Sequence, residues 1–207
     1  MAARMPDLRH RLQAAVRHGH APSSDYDLNP DVILPADRKL RPAGVLIPVM
    51  EREAGPVVVL TKRSSALKHH PGQIAFPGGK VDPGDADVVA AALREANEEI
   101  GLPRALVDVI GTLPSHETVT GFTATPVLSI VSAGFVPVPE AGEVDEVFEV
   151  PLSHVTDPAN FRVQSRRWRG HRRSYFTVPW GPYYIWGATA RMLRALADGM
   201  GHGTDHG

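Results

Sequence analysis

The chain has 207 residues, 43% hydrophobic and 22% charged, which is enough for one domain with a full core, so no second domain is required. A net charge of −1 and a pI near 6.8 exclude a general attraction to nucleic acid or to anionic membrane surfaces. The sequence has no cysteine, which excludes disulfides, thiol catalysis and cysteine metal sites and is compatible with a cytoplasmic location.

An N-terminal helix and an irregular lead-in are predicted for residues 1–39. Leu8, Leu12 and Val16 lie on one side of this short amphipathic helix. Pro30 and Pro35 make the segment after it irregular. No apolar run here has the length of a signal peptide or a membrane span, so no membrane association is expected.

Two mostly apolar strands follow, at residues 43–50 and 57–62, separated by a polar turn with glycine and proline. Their composition suits a sheet that is covered on both faces. Pro48 lies within the first of them and indicates an edge strand or a bulge, because proline has no N–H for a ladder.

A loop rich in cations and hydrogen-bond donors comes next. Its polar residues are Arg63, Lys68, His69, His70 and Gln73. Such side chains are suited to the phosphates of a substrate. A generic basic loop is the alternative interpretation.

A helix is predicted within the stretch from Phe76 to Leu102. Asp85 or Asp87 is placed to cap its start, and Gly101 is placed to end it. Its apolar positions recur at three- and four-residue intervals and form one buried stripe: Val89, Leu93, Ala96 and Ile100.

Three carboxylates of this helix, Glu95, Glu98 and Glu99, fall within an arc of about 100° beside the apolar stripe. Like charges at these spacings repel, so the helix gains no stability from them. A divalent cation reverses that cost, and oxygen-only ligands favour a hard ion, Mg²⁺ or Mn²⁺. A solvated glutamate face is the structural alternative.

The segment R-E-A-N-E-E-I-G-L that begins at Arg94 resembles the helical half of the Nudix box, which reads R-E-U-x-E-E-x-G-U with U an aliphatic residue. The front half of the box does not match, because Ala86 stands where the pattern has its first acid. Counting from Gly79 puts Asp85 at that acidic position with one additional residue before Arg94. This departure concerns the role of Asp85 and leaves the helical carboxylates unaffected.

The segment from Leu60 to Gly79 resembles the signature of the coenzyme A pyrophosphatases within the Nudix superfamily. It reads L-T-K-R-S-x-x-L-K-x-H-x-G-Q-I-x-F-P-G-G, without gaps, and adjoins the box. The longer front half of the box is also similar to that subfamily.

After the helix, residues 106–113 and 122–131 are predicted to be strands, and an acidic loop at 136–146 precedes an apolar stretch. The family resemblance implies that a carboxylate of such a loop completes the metal site or acts as base. Glu143 is the candidate by its position. A solvated acidic loop is the alternative.

The last part of the chain combines an arginine-rich segment, a closing helix and a tail. Residues 161–178 contain six arginines, and alternation around Gly170 predicts a β-hairpin rather than a nucleic-acid patch. Pro182 to Ala197 is predicted to be a helix with Tyr184 and Ile185 on its buried face. Residues 199–207 are predicted to be a disordered tail.

The resemblance implies a Nudix hydrolase domain at residues 40–198, an α/β fold with a mixed β-sheet in an α/β/α sandwich. It implies Mg²⁺ or Mn²⁺ on Glu95, Glu99 and Glu98, and a base that is Glu98 or Glu143. Arg94 is expected either to take part in catalysis or to orient a carboxylate of the box. Substrate contacts are expected from Arg63, Lys68, His70 and Gln73.

The implied reaction is hydrolysis of coenzyme A, or a derivative of it, to 3′,5′-ADP and 4′-phosphopantetheine. The expected partner is therefore a small molecule, with no nucleic acid and no membrane, and a homodimer is left open. Two alternatives remain. One is a Nudix pyrophosphatase for another nucleoside diphosphate derivative such as ADP-ribose, and the other is a non-enzymatic module that binds a nucleotide or RNA.

Overall fold

The computed structural model describes residues 5–18, 21–35, 37–168 and 170–201. Within them the α-helices are α1 Met5–Arg17, α2 Val88–Ile100, α3 Leu152–Val155 and α4 Ala188–Gly201. The first strands are β1 Ser23–Ser24, β2 Arg41–Arg52, β3 Gly55–Arg63, β4 Ile74–Ala75 and β5 Gly78–Lys80. The later strands are β6 Val107–Thr112, β7 His116–Glu117, β8 Phe122–Val131, β9 Val144–Pro151, β10 Arg162–Trp168 and β11 His171–Thr177.

Among the described residues, β1 to β9 form one mixed sheet. Its path runs β1-β7-β8-β2-β3-β4, with β6 also paired to β8, β5 to β2 and β9 to β3. The pairs β2–β8 and β1–β7 are parallel, and the other pairs are antiparallel. The strands predicted at 43–50, 57–62, 106–113 and 122–131 are all confirmed.

Strands β2 and β3 pair with each other only near the turn that joins them, and further from the turn they separate. The space between the separated strands shapes the site. β2 pairs with β3 only from Val49 onward, and below that point it pairs with β5 through Val45. Beyond its pairing with β2, β3 pairs with β4 through Thr61 and Lys62. The short strands β4 and β5 therefore occupy the gap between two diverging neighbours and bring the Gly78–Gly79 backbone into the sheet.

The prediction that Pro48 marks an edge strand or a bulge is wrong, because β2 lies inside the sheet between β8 and β3. Pro48 stands in the interval where β2 changes partner from β5 to β3. A missing N–H there interrupts neither of these two ladders.

Two apolar layers cover the sheet. On one face α2 packs against β2, β3 and β8 through residues such as Ala96, Leu46 and Val59. On the other face α1 and α4 enclose a larger cluster that includes Leu12, Leu193 and further strand residues. The α/β prediction of a mixed sheet sandwiched between helices is confirmed. None of the described helices is long and apolar enough to span a bilayer.

The predicted amphipathic helix at the N-terminus is confirmed, and it packs into the domain. Leu8 and Leu12 of α1 are fully buried, and a β-carbon on Gly199 of α4 would lie 2.9 Å from the carbonyl oxygen of Ala15. The two helices therefore pack at close range. Helix α4 extends to Gly201, stabilised by this contact and by the burial of Met200. The disordered tail was predicted to begin at residue 199, so this boundary is wrong by at least three residues. Residues 202–207 lie outside the described part of the chain.

The closing helix begins at Ala188 and not at Pro182 as predicted. Gly181 and Gly187 have positive φ angles of 53° and 64°, which interrupt a helix, and the residues between them fold back onto β11 through the bond from the Val178 N–H to the Ile185 carbonyl. Tyr184 is consequently 47% exposed, while Ile185 is buried from a non-helical position. The arginine-rich hairpin is confirmed as β10–β11.

Candidate active site

Helix α2 carries the clustered carboxylates, and its ends are fixed by its own sequence. Asp87, not Asp85, is the N-cap, and its carboxylate accepts the Ala90 N–H at 2.8 Å. Gly101 ends the helix in the left-handed region at φ 68°. Ala96 and Ile100 are fully buried, so the predicted apolar stripe sets which face turns toward solvent.

Glu99 and Glu95 lie at the edge of this buried face, against the backbone of β5. Glu99 is only 5% exposed, and its Oε2 accepts the Gly78 N–H at 3.2 Å. The Glu95 side chain is 16% exposed and lies directly over Gly79. The opened hairpin and the helix thus bring two carboxylates onto the glycine pair that precedes the helix.

Both carboxylates lie in surroundings that disfavour their charge. Burial raises the pKa of Glu99 to about 7, and the negative charges of Glu95 and Glu143 add to this rise. The hydrogen bond from the Gly78 N–H and the positive charge of Arg63 oppose it. Burial also raises the pKa of Glu95, where Arg94 opposes the shift. Negative charge without full compensation is the electrostatic condition that a bound cation relieves.

Gly79 leaves the space that Glu95 occupies, because a β-carbon there would lie 2.5 Å from the Glu95 carboxyl. We expect Gly79→Ala to push the end of this side chain away and lower kcat about tenfold or more, as small misplacements of reacting groups do. The melting temperature should hardly change, since the clash is with a flexible side-chain end. Gly84→Ala is the matched control, because within the described part of the chain its added β-carbon would meet no atom within 4 Å apart from its two chain neighbours. Equal activity of the two variants would contradict this interpretation.

Arg94 holds the acidic groups around the helix together. Its Nε and Nη2 donate to the two oxygens of Asp85 at 3.0 and 2.9 Å, and its Nη1 donates to Glu95 at 2.9 Å and Glu98 at 3.0 Å. Nη2 also reaches the Lys80 carbonyl at 3.2 Å. The pKa of Arg94 is raised by these bonds, Asp85 first. This geometry is that of an orienting residue whose donors are taken up by the protein.

Asp85 is the deepest member of this network. Its side chain is 6% exposed, its Oδ2 also accepts the Asp82 N–H at 2.8 Å, and Arg94 lowers its pKa. Asp85, the acid that lies out of register in the front half of the box, therefore pairs with Arg94, the arginine of the box.

Glu98 lies further out than the other two carboxylates of the helix. Its side chain is 55% exposed, and it accepts a hydrogen bond from Arg94 Nη1 at 3.0 Å. The predicted trio thus consists of the buried Glu99, the half-buried Glu95 and an exposed third member, Glu98, which shares the Arg94 guanidinium with Glu95.

The acidic loop before β9 passes close to Glu95 and Glu99. Glu140 N–H donates to the Glu99 carbonyl at 2.9 Å, and Val138 N–H donates to the Ile100 carbonyl at 2.9 Å. The charge of Glu143 is close enough to raise the pKa of both Glu95 and Glu99. The structure therefore brings Glu143 to the helical carboxylates.

The basic loop meets the site through Arg63. The positive charge of Arg63 opposes the rise in the pKa of Glu99, and loss of solvent together with that charge lowers the pKa of His70. In the described part of the chain the buried Arg63 Nε makes no hydrogen bond. His70 adopts a left-handed φ of 55°, Gln73 closes the loop by accepting the Arg63 N–H at 2.9 Å, and Lys68 is exposed. Arg63 and His70 are brought together, whereas Lys68 is only on the same loop.

Sequence reasoning missed three participants: the Gly78 N–H and the residues Ser64 and Asp145, which link the two loops. The glycine pair was visible in the motif, but its hydrogen bond to Glu99 depends on how the hairpin opens. Asp145 stood among several acids of one loop, and nothing in the sequence distinguished it.

The donor set fits a hard divalent cation in kind, since the carboxylates of the buried Glu99 and the half-buried Glu95 lie against the same glycine pair. In the arrangement of the described residues, no three His, Cys, Asp or Glu side chains converge as metal ligands. Arg94 binds one oxygen each of Glu95 and Glu98, and the Gly78 N–H binds one of Glu99. The second oxygen of each of these two glutamates is not engaged by Arg94, so it could serve as a cation ligand.

Comparison with known proteins gives consistent matches. The NUDIX domain profile matches residues 40–170. The uncharacterized Nudix hydrolase NudL of Enterobacter sp. (strain 638) is 44% identical over 161 residues, covering 78% of this chain and 83% of the relative, and NudL of Citrobacter koseri has the same identity and coverage. The crystal structure of the M. smegmatis Nudix hydrolase RenU is 27% identical, covers 57% of this chain and 73% of its own, and superposes with a TM-score of 0.48.

Proposed function

The chain belongs to the Nudix family, and we propose that it hydrolyses the pyrophosphate bond of coenzyme A or a coenzyme A derivative to 3′,5′-ADP and 4′-phosphopantetheine. The Nudix α/β/α fold is confirmed, and hydrolysis of a nucleoside diphosphate derivative is supported at the level of the family. One observation carries the proposal: the charge of Arg63 acts on the buried Glu99, and Arg63 stands at the start of the loop that resembles the coenzyme A pyrophosphatase signature.

Glu95, Glu99 and Glu98 are the proposed holders of Mg²⁺ or Mn²⁺. When bound, such an ion neutralises diphosphate charge and lowers the pKa of a bound water. The protein contributes two carboxylates whose charge is disfavoured without a cation, and the Gly78–Gly79 backbone that fixes them. Arg94 is proposed to orient Glu95 and Asp85 rather than to touch substrate, because its donors are already engaged.

The base that accepts the proton of the attacking water is proposed to be Glu143, with Glu98 as the alternative. One oxygen of Glu98 already accepts a hydrogen bond from Arg94 at 3.0 Å. Glu143 comes from the acidic loop before β9, and its charge acts on both Glu95 and Glu99. This favours the loop carboxylate for proton transfer.

The basic loop is proposed to bind the substrate. Arg63 has a buried Nε without a hydrogen bond among the described residues and a charge that acts on Glu99, so a diphosphate oxygen at that place would satisfy it. His70, Gln73 and Lys68 follow on the same loop and are the proposed contacts for more distant parts of the substrate.

The second candidate is hydrolysis of another nucleoside diphosphate derivative such as ADP-ribose, which the same carboxylates would serve. A purely binding module is disfavoured because two glutamates whose pKa values are raised by burial cost stability and bring a binder no benefit.

A substrate panel tests the proposal. Coenzyme A, acetyl-coenzyme A, ADP-ribose and a nucleoside triphosphate are each incubated with the protein and Mg²⁺ or Mn²⁺, and the products are separated by chromatography. We expect the highest kcat/KM on coenzyme A or its acyl derivative, with a chelator abolishing turnover. Turnover of ADP-ribose with coenzyme A left intact would discard the coenzyme A proposal in favour of the second candidate.

A further inference from the structure

The basic loop and the acidic loop are joined by two consecutive backbone N–H groups. Ser64 N–H donates to the Glu143 carbonyl at 2.8 Å, and Ser65 N–H donates to the Asp145 Oδ2 at 3.0 Å. The Ser65 N–H is the main cause that lowers the pKa of Asp145, so the pairing favours the charged carboxylate. Ser64 is 3% exposed, which places the first of these bonds out of solvent.

A β-bulge directs Asp145 to this contact. β3 and β9 pair Lys62 with Glu146 and then Arg63 with Val144, so Asp145 is an additional residue with no partner in β3. A bulge turns the side chain of its extra residue away from the regular direction. Here the carboxylate reaches past the end of β3 to the first residues of the basic loop.

The far side of the acidic loop is tied to the helix. Val138 and Glu140 N–H groups donate to the carbonyls of Ile100 and Glu99, and the Glu140 carbonyl accepts the Glu143 N–H at 3.1 Å. Glu143 therefore lies between an attachment at the end of α2 and a second attachment to Ser64 and Ser65, directly before β9 begins its pairing with β3.

We propose that Asp145 is a positioning residue that couples the basic loop to Glu143: by binding Ser65 it holds both loops as one unit, so that Glu143 faces Glu95 and Glu99 when the basic loop is in its substrate-binding arrangement. The inference rests on the proposed function, because it takes Glu143 as the base. It assigns to Asp145 no contact with substrate.

A double-mutant cycle tests this coupling with the full-length protein, Mg²⁺ and the best substrate of the wild type. Asp145→Ala is measured in the wild-type background and in the Glu143→Gln background. We expect it to lower kcat about tenfold in the first and less than about twofold in the second, because residues that act through one another are not additive. A loss of similar size in both backgrounds would overturn the inference, since a general structural role harms both equally.

Two further variants sharpen the result. Asp145→Asn keeps an oxygen that accepts the Ser65 N–H and should retain kcat within about threefold of the wild type. Asp145→Glu keeps the charge but displaces the oxygen, and it replaces the alanine variant in the cycle if that protein does not fold. Asp31→Ala, an exposed acid outside both loops, is the control for loss of one charge and should keep full activity.

Failure of the proposed function is recognised separately. If the wild type turns over no diphosphate, or if Glu143→Gln alone keeps full kcat, the role of Glu143 in the proposed function is wrong and the coupling falls with it. If Glu143→Gln is impaired but Asp145→Asn is as impaired as Asp145→Ala, only the coupling through Ser65 is overturned.

Discussion

Replacing Glu99 with glutamine is expected to lower kcat of the Mg²⁺-dependent reaction by about 10²–10³-fold, since loss of one metal-holding carboxylate removes several kcal/mol of transition-state stabilisation. Glutamine has nearly the same shape, and its Oε1 still accepts the Gly78 N–H. The change therefore removes charge with little change in packing. Steady-state rates at saturating Mg²⁺ measure it, and full activity of a folded variant would refute the metal assignment.

The same variant is expected to be more stable than the wild type when metal is absent. The folded pKa of Glu99 is about 7 against an ordinary value of 4.5, so the folded state binds more protons between these values and its stability falls as pH rises through them. At pH 8 the cost is roughly 1–3 kcal/mol, and below about pH 4.5 it vanishes.

Urea unfolding with a chelator at pH 8 and at pH 4.5 measures this difference. We expect a higher midpoint for Glu99→Gln at pH 8 and equal midpoints at pH 4.5. Glu53→Gln, an exposed acid in the turn between β2 and β3, is the control and should match the wild type at both values. A variant less stable than the wild type at pH 8 would contradict the electrostatic account of Glu95 and Glu99.

Replacing Arg94 with alanine is expected to damage stability and catalysis together. The change leaves Asp85, at 6% exposure, without the partner that binds both its oxygens, and it frees Glu95 from its orientation. We expect the free energy of unfolding to fall, and kcat to fall at least about tenfold. Arg94→Lys should rescue little, because one ammonium does not reproduce the bidentate fork.

Urea unfolding and kcat of the same preparations test this prediction. Arg104→Ala, which removes an exposed arginine after the same helix, is the control and should change neither quantity. Loss of activity with unchanged stability would show that Arg94 acts on the substrate and not through the carboxylates.

The sequence predicted those features of the fold that depend on residues close together in the chain. The cap and the stop of α2 follow from Asp87 and Gly101, and its buried face follows from residue spacing. Alternation around Gly170 predicted the β10–β11 hairpin for the same reason. These features depend on residues a few positions apart, which a single sequence displays.

Features that depend on distant partners were not predictable in this way. Pro48 suggested an edge strand. The sheet accommodates this proline at the point where β2 changes its partner from β5 to β3, and that change depends on the tertiary fold. The residues after Pro182 have a helical pattern, yet they fold back onto β11 between Gly181 and Gly187. Tertiary contacts outweigh local propensity at both places.

The candidate site shows the same division. The spacing of Glu95, Glu98 and Glu99 predicted a shared face, but their unequal burial arises from packing of α2 over Gly78 and Gly79. The pairing of Asp85 with Arg94 agrees with the orienting role that was one of the two expected for Arg94. The bulge at Asp145 depends on the register of β3 and β9, which the sequence does not display.

The proposed reaction and the role of Glu99 are tested together by mass-spectrometric identification of the products from coenzyme A, with the wild type and Glu99→Gln side by side in Mg²⁺. We expect equimolar 4′-phosphopantetheine and 3′,5′-ADP from the wild type, and at most about one hundredth of that rate from the variant. Intact coenzyme A after incubation with the wild type, or equal product formation by both proteins, would contradict this expectation.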